Sequence, residues 1–94
     1  MTDVRDFETT SIHLAAALLT VIPDAQLSHI APDPSIDGKR LIAVRCPVNQ
    51  QTSVQRLAED FYARRLTVPL YAFNRALNLL RDRLLQDRRP HAVR

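Results

Sequence analysis

Apolar and polar positions alternate only briefly along this chain before giving way to spacings of three and four, and those changes of period mark out its elements. Charged and apolar residues alternate around Phe7 over residues 4–8, which predicts a short edge strand. Thr9, Thr10 and Ser11 then offer side-chain oxygens to the free amides of a helix beginning at Ile12. That helix is expected to run to about Ile22, because Pro23 cannot extend it. Ile12, Ala15, Ala16, Leu19 and Ile22 form one face and Leu14, Leu18 and Val21 the next, leaving His13, Ala17 and Thr20 as a narrow, weakly polar strip. A helix so apolar is expected to be covered on two sides, and Ala15-Ala16-Ala17 lets another backbone approach closely.

Residues 26–31 and 41–46 read as two strands of a hairpin, with Ile42, Val44 and Cys46 on one face of the second and Leu41, Ala43 and Arg45 on the other. The only glycine, Gly38, follows Asp37 in a pair suited to a tight turn, while Pro32 and Pro34 widen the connection. Pro47 ends the second strand. Thr52 with Gln55 three residues later fits the reciprocal capping pattern for a second helix, whose seam is Val54, Leu57, Ala58, Phe61 and Tyr62. Thr67-Val68-Pro69 separates it from a third helix extending to about Asp87, with Leu70, Phe73, Leu77, Leu80 and Leu84 facing the core. Ala72, Ala76 and Leu79 form a second, smaller apolar strip on that helix. The expected fold is α+β: two layers, a small antiparallel sheet of two or three strands packed on three helices, in the order β-α-β-β-α-α. Residues 1–87 make one globular domain and 88–94 a mobile basic tail.

At 94 residues the chain has room for one modest core and not for two domains. Its longest apolar stretch, 14–21, falls short of the roughly 18 residues a membrane span requires, and an acidic start carries no export signal. With Cys46 as the sole cysteine, no internal disulfide forms, and a reducing cytoplasm is the expected compartment.

The spacing Phe7-x-Thr9-x-x-x-x-Leu14-Ala15-Ala16-x-Leu18, a hairpin, then Phe61-Tyr62 and Val68-x-Leu70-x-x-Phe73-x-x-Ala76-Leu77-x-x-Leu80 resembles a family of small bacterial proteins classed only as a domain of unknown function. The resemblance covers roughly residues 7–84. It departs in placing Ser11 where an acidic cap is usual and in a longer loop around Pro32 and Pro34. It implies an architecture and transfers no catalytic residue.

Candidate chemistry is sparse. His13, His29 and His91 have no second ligand at helical spacing, so no metal site is expected. Cys46 sits among apolar strand residues, with Arg45 on the opposite face, and reads as a small hydrophobe rather than a nucleophile. Ser11 or Thr10 with His13 is formally a hydroxyl and imidazole pair, but hydroxyls just before a helix are ordinarily caps. One glycine provides no phosphate-cradling loop. No catalytic residue, cofactor or small-molecule substrate is expected.

Charge is uneven: Arg5 is the only cation against six acids before Lys39, and twelve Lys/Arg stand against four acids from Lys39 onward. Genome composition alone can favour Arg over Lys, and Arg56–Asp60, Asp60–Arg64 and Arg83–Asp87 are spaced to pair locally. Two partner readings remain. The first is a non-enzymatic interaction or oligomerisation module, dimeric through Ala72, Ala76 and Leu79, since surplus apolar helix surface usually finds another chain. The alternative is nucleic-acid binding through Arg75, Arg81, Arg88 and Arg89, with Asn74, Asn78 and Tyr71 nearby.

Overall fold

The computed structural model describes residues 3–32 and 40–88. Thr9 and Ser11 set the first corner: the Ser11 N–H donates to Thr9 Oγ1 at 3.0 Å, and Ser11 Oγ accepts from the Leu14 N–H at 3.1 Å. Of the three hydroxyls before the helix, Ser11 is therefore its cap. Strand β1 (Val4–Thr9) enters this corner and helix α1 (Ile12–Val21) leaves it. Strands β2 (Gln26–Pro32) and β3 (Arg40–Pro47) follow, then helices α2 (Gln51–Tyr62) and α3 (Leu70–Arg88). The order is the expected β-α-β-β-α-α. The Asp37-Gly38 turn and Pro34 lie outside the described residues.

The sheet runs β1-β3-β2, with both pairings antiparallel. β3, the most apolar strand, takes the centre, and β1 is the edge strand its alternation predicts. Phe7 and Leu27 both pair with Val44, and Thr9 and Ile30 both pair with Ile42. These pairs lie with buried Cys46 on the face toward the helices. A register shift between Leu27 and His29 inserts Ser28 as an extra residue, bending the edge of β2.

The core sits between sheet and helices. Leu14, Ala15, Ala16, Ala17 and Leu18 are all buried, against Ile42, Val44, Leu57, Leu77 and Leu80 from the sheet and the other two helices. Ala17, assigned to a weakly polar strip, is 1% exposed. α1 is the central helix of the layer, and its three consecutive alanines let backbone approach over most of its circumference.

Four other expectations are corrected. Thr52 does not cap α2: Val48–Gln50 form a 3₁₀ turn directly after Pro47, and the helix starts at Gln51 with no side-chain cap. The Gln51 amide donates to the Val48 carbonyl, so the 3₁₀ turn supplies an acceptor that a side chain would otherwise provide. Leu70 is 73% exposed rather than part of the seam. α3 has 19 residues against ten in α1, about 28 Å against 15 Å, so its ends overhang the helix it packs on. Tyr62, in the last turn of α2, is 68% exposed and meets the Phe61 ring edge-on, leaving Phe61 to face inward. The third helix ends at Arg88, within a residue of its expected end at about Asp87, and so takes in the first residue assigned to the basic tail.

The fourth correction concerns charge pairing at the end of α2. Asp60 holds Arg65 at 3.2 Å rather than Arg64. Arg64 adopts φ 60°, its N–H bonding to the Phe61 carbonyl, while the Arg65 N–H reaches back to the Asp60 carbonyl at 2.8 Å. This pair of bonds closes a Schellman motif and brings Arg65 over Asp60.

Candidate functional site

Helix α3 has one well-packed stripe, and what flanks that stripe decides which partners it can meet. Leu77 and Leu80 are buried, with Phe73, Ala76 and Leu84 packed partly against the core. Beside them, Ala72, Ala76 and Leu79 combine with Leu19 of α1 to line a shallow groove of about 620 Å³, edged by Arg75, Asn78 and Asp82. The structure therefore brings the three expected contact residues together and adds Leu19, whose contribution depends on how α3 crosses α1. Ala72 is exposed and Leu79 is 50% exposed.

The arginines do not form one face. Successive helical residues turn by about 100°, so Arg75 and Asp82, seven apart, share a side, whereas Arg81 lies about 120° round from Arg75. Arg75 stacks its guanidinium over the exposed Tyr71 ring, 5.9 Å from the centroid. Arg81 is exposed on the same side as Asn74, Arg88 is the last helical residue, and Arg89 lies outside the described residues.

On the other flank of α1, two adjoining hollows separate it from α2 and from the segment leading into α3. The first, about 450 Å³, is lined by apolar residues including Ile22, Leu57 and Leu66 and by the polar side chains of Gln50, Thr52, Ser53, Arg56 and Asp60. The second, about 460 Å³, is lined by His13, Ala17, Phe61, Arg64, Leu66, Val68 and Phe73. Leu66 lines both. Sequence periodicity missed these hollows because it placed His13 and Ala17 in a weakly polar strip and Val21 on an apolar face with Leu14 and Leu18. The linker residues Leu66 and Val68 belong to no periodic pattern at all.

The nucleophile and base candidates are otherwise engaged. Ser11 Oγ is committed to the α1 cap, and the His13 ring stacks on Phe73 with centroids 6.4 Å apart. Cys46 is fully buried; burial, and then the negative charge of Asp6, push its thiol above the ordinary cysteine value. Arg45, on the opposite face of β3, pairs with Asp6 at 3.3 Å. On that open face Arg45 also donates to Ser28 Oγ at 3.2 Å, and Ser28 Oγ lies 3.2 Å from His29 Nδ1. The bulge in β2 brings Ser28 and His29 together there, a proximity that strict alternation does not anticipate. Among the described residues, no three His, Cys, Asp or Glu side chains gather as metal ligands, and no helix is long and apolar enough to cross a membrane.

No family model, curated protein or solved structure matches this chain. The functional reading therefore rests on the geometry of its own residues.

Proposed function

We propose that the chain is a non-enzymatic oligomerisation module whose α3 groove receives α3 of a second copy. The observation that carries this reading is the pairing of an apolar strip with opposite charges at matched positions: Ala72, Ala76, Leu79 and Leu19 along the groove, with Arg75 and Asp82 on its edge. If two α3 helices lie antiparallel about a twofold axis near Asn78 and Leu79, each Arg75 meets Asp82 of the other copy. The same surface patch then serves both subunits, as a twofold interface requires. A parallel arrangement in register would instead set like charges against each other, so the charge pattern selects orientation more than it adds affinity.

Light scattering across a concentration series tests this reading. Wild-type protein should move from monomer toward dimer with concentration, and Leu79→Glu should stay monomeric while remaining folded. Arg75→Asp and Asp82→Arg should each weaken association, and the double swap should restore it. A monomer at every concentration contradicts the proposal. The sector holding Asn74, Asn78 and Arg81 supports a second reading, nucleic-acid binding, with Arg81 freely presented on the surface. Submicromolar binding of duplex DNA that persists at physiological salt, and weakens in Arg81→Ala, would favour that reading.

A further inference from the structure

Arg64 is out of place at the end of α2. It occupies the turn position that glycine usually takes, in left-handed backbone with φ 60°, and brings a long cationic side chain there. Its neighbour Arg65 takes Asp60 at 3.2 Å. Among the described residues, no carboxylate pairs with Arg64. Side-chain-bearing residues held in left-handed backbone gather at ligand clamps and other functional positions, where the surroundings fix them.

Arg64 lines the second hollow beside α1, about 460 Å³, with three rings. These are Phe61 of α2, Phe73 of α3 and His13 of α1, the last two lying nearly parallel, at 22°, with centroids 6.4 Å apart. Leu66 and Val68 of the linker complete the wall, and the buried Ala17 underlies it. No acidic residue lines this hollow, whereas the adjoining one, which shares only Leu66 with it, holds both Arg56 and Asp60. Arg64 is thus the one permanent charge in an otherwise aromatic and aliphatic hollow.

We infer that this hollow is a binding site for a small aromatic carboxylate, its ring against Phe61 and Phe73 and its carboxylate at the Arg64 guanidinium. Apolar and aromatic walls with a few polar groups to fix orientation are the general form of a small-molecule site of this size. The rings favour a flat aromatic ligand over a saturated one. A guanidinium presents a planar pair of donors that a carboxylate accepts side by side, and one permanent cation matches one negative charge. The hollow shares no residue with the α3 groove, so the site does not depend on self-association.

Phenylacetate, phenethylammonium and cyclohexylacetate, titrated into ¹⁵N-labelled full-length protein and followed by amide chemical shifts, test the inference. Phenylacetate should perturb amides at Phe61, Arg64, Leu66 and Phe73, with phenethylammonium at least about tenfold weaker and cyclohexylacetate about threefold weaker. Arg64→Gly keeps the turn and removes the cation, so it should weaken phenylacetate about tenfold without lowering the melting midpoint. Arg56→Ala, in the adjoining hollow, should leave the affinity within about twofold of wild type. Val68→Trp should fill the hollow and abolish the shifts. Equal binding of phenylacetate and phenethylammonium, unchanged affinity in Arg64→Gly, an equal loss in Arg56→Ala, or no response to phenylacetate at these residues would each overturn the inference.

Discussion

Among the described residues, two hold left-handed backbone without being glycine: Asp24 at φ 61° in the turn after Pro23, and Arg64 at φ 60° at the end of α2. The only glycine is spent at position 38. Asp tolerates this region through its short polar side chain, but Arg gains no such relief, and a left-handed residue with a Cβ costs about 1–2 kcal/mol. Part of that is returned when glycine loses its extra freedom on folding, so Arg64→Gly should stabilise the fold by about 1 kcal/mol and raise the melting midpoint by about 4–8 °C. An unchanged or lower midpoint in a thermal melt would mean that the Schellman turn carries no strain. Cys46 makes a second residue-scale prediction. Its thiol is held above the ordinary value of 9.0 when folded, so the native chain keeps a proton that the unfolded chain loses. The contribution is complete at pH below about 9.0 and fades as pH rises beyond it. Unfolding free energy of wild type should fall in that alkaline window relative to its neutral plateau, while Cys46→Ala, less stable throughout, should lack this component. A thiol reagent should modify Cys46 only as fast as the fold opens.

At the scale of elements, caps and periodicity account for what was legible in the sequence and what was not. Ser11 before Ile12, Pro23 after the first helix and the Val/Ile-rich run of β3 each act within a few residues, so their positions followed from local chemistry. The start of α2 did not, because the acceptor for Gln51 is a backbone carbonyl of the 3₁₀ turn rather than the Thr52 hydroxyl. The difference is measurable: Ser11→Ala should cost about 1 kcal/mol in chemical denaturation, and Thr52→Ala should stay within about 0.5 kcal/mol of wild type. A large loss in Thr52→Ala would restore the capping box that the helix start argues against. Leu70 misled for a different reason: spacing shows that a residue shares the core-facing stripe of a helix, not whether the neighbouring helix is long enough to cover it. The apolar strip Ala72, Ala76 and Leu79 was visible in spacing, but its partner Leu19 and the charge match of Arg75 with Asp82 around it emerge only once α3 is laid across α1. The two hollows beside α1 were invisible because residues of α1, α2 and the linker, which share no one period, line them together.

At the scale of the whole molecule, a three-stranded sheet covers one side of a short, alanine-rich helix, and two further helices cover much of the rest. The longest helix is also the least covered, with Leu70, Tyr71, Leu79 and Leu85 all exposed along it. The edge strand β1 presents Arg5, Asp6 and Glu8, charges that discourage strand-to-strand pairing at that edge of the sheet. A standard interface takes about 800 Å² from each partner, roughly an eighth of the 6687 Å² this chain exposes. The most direct measurement is the mass of the wild type, the two single charge variants and the Arg75→Asp, Asp82→Arg double variant by light scattering over one concentration range. Dimer in the wild type, weakened association in each single variant and recovery in the double variant are the predicted result. A monomeric wild type, or a dimer indifferent to all three variants, would contradict self-association through α3.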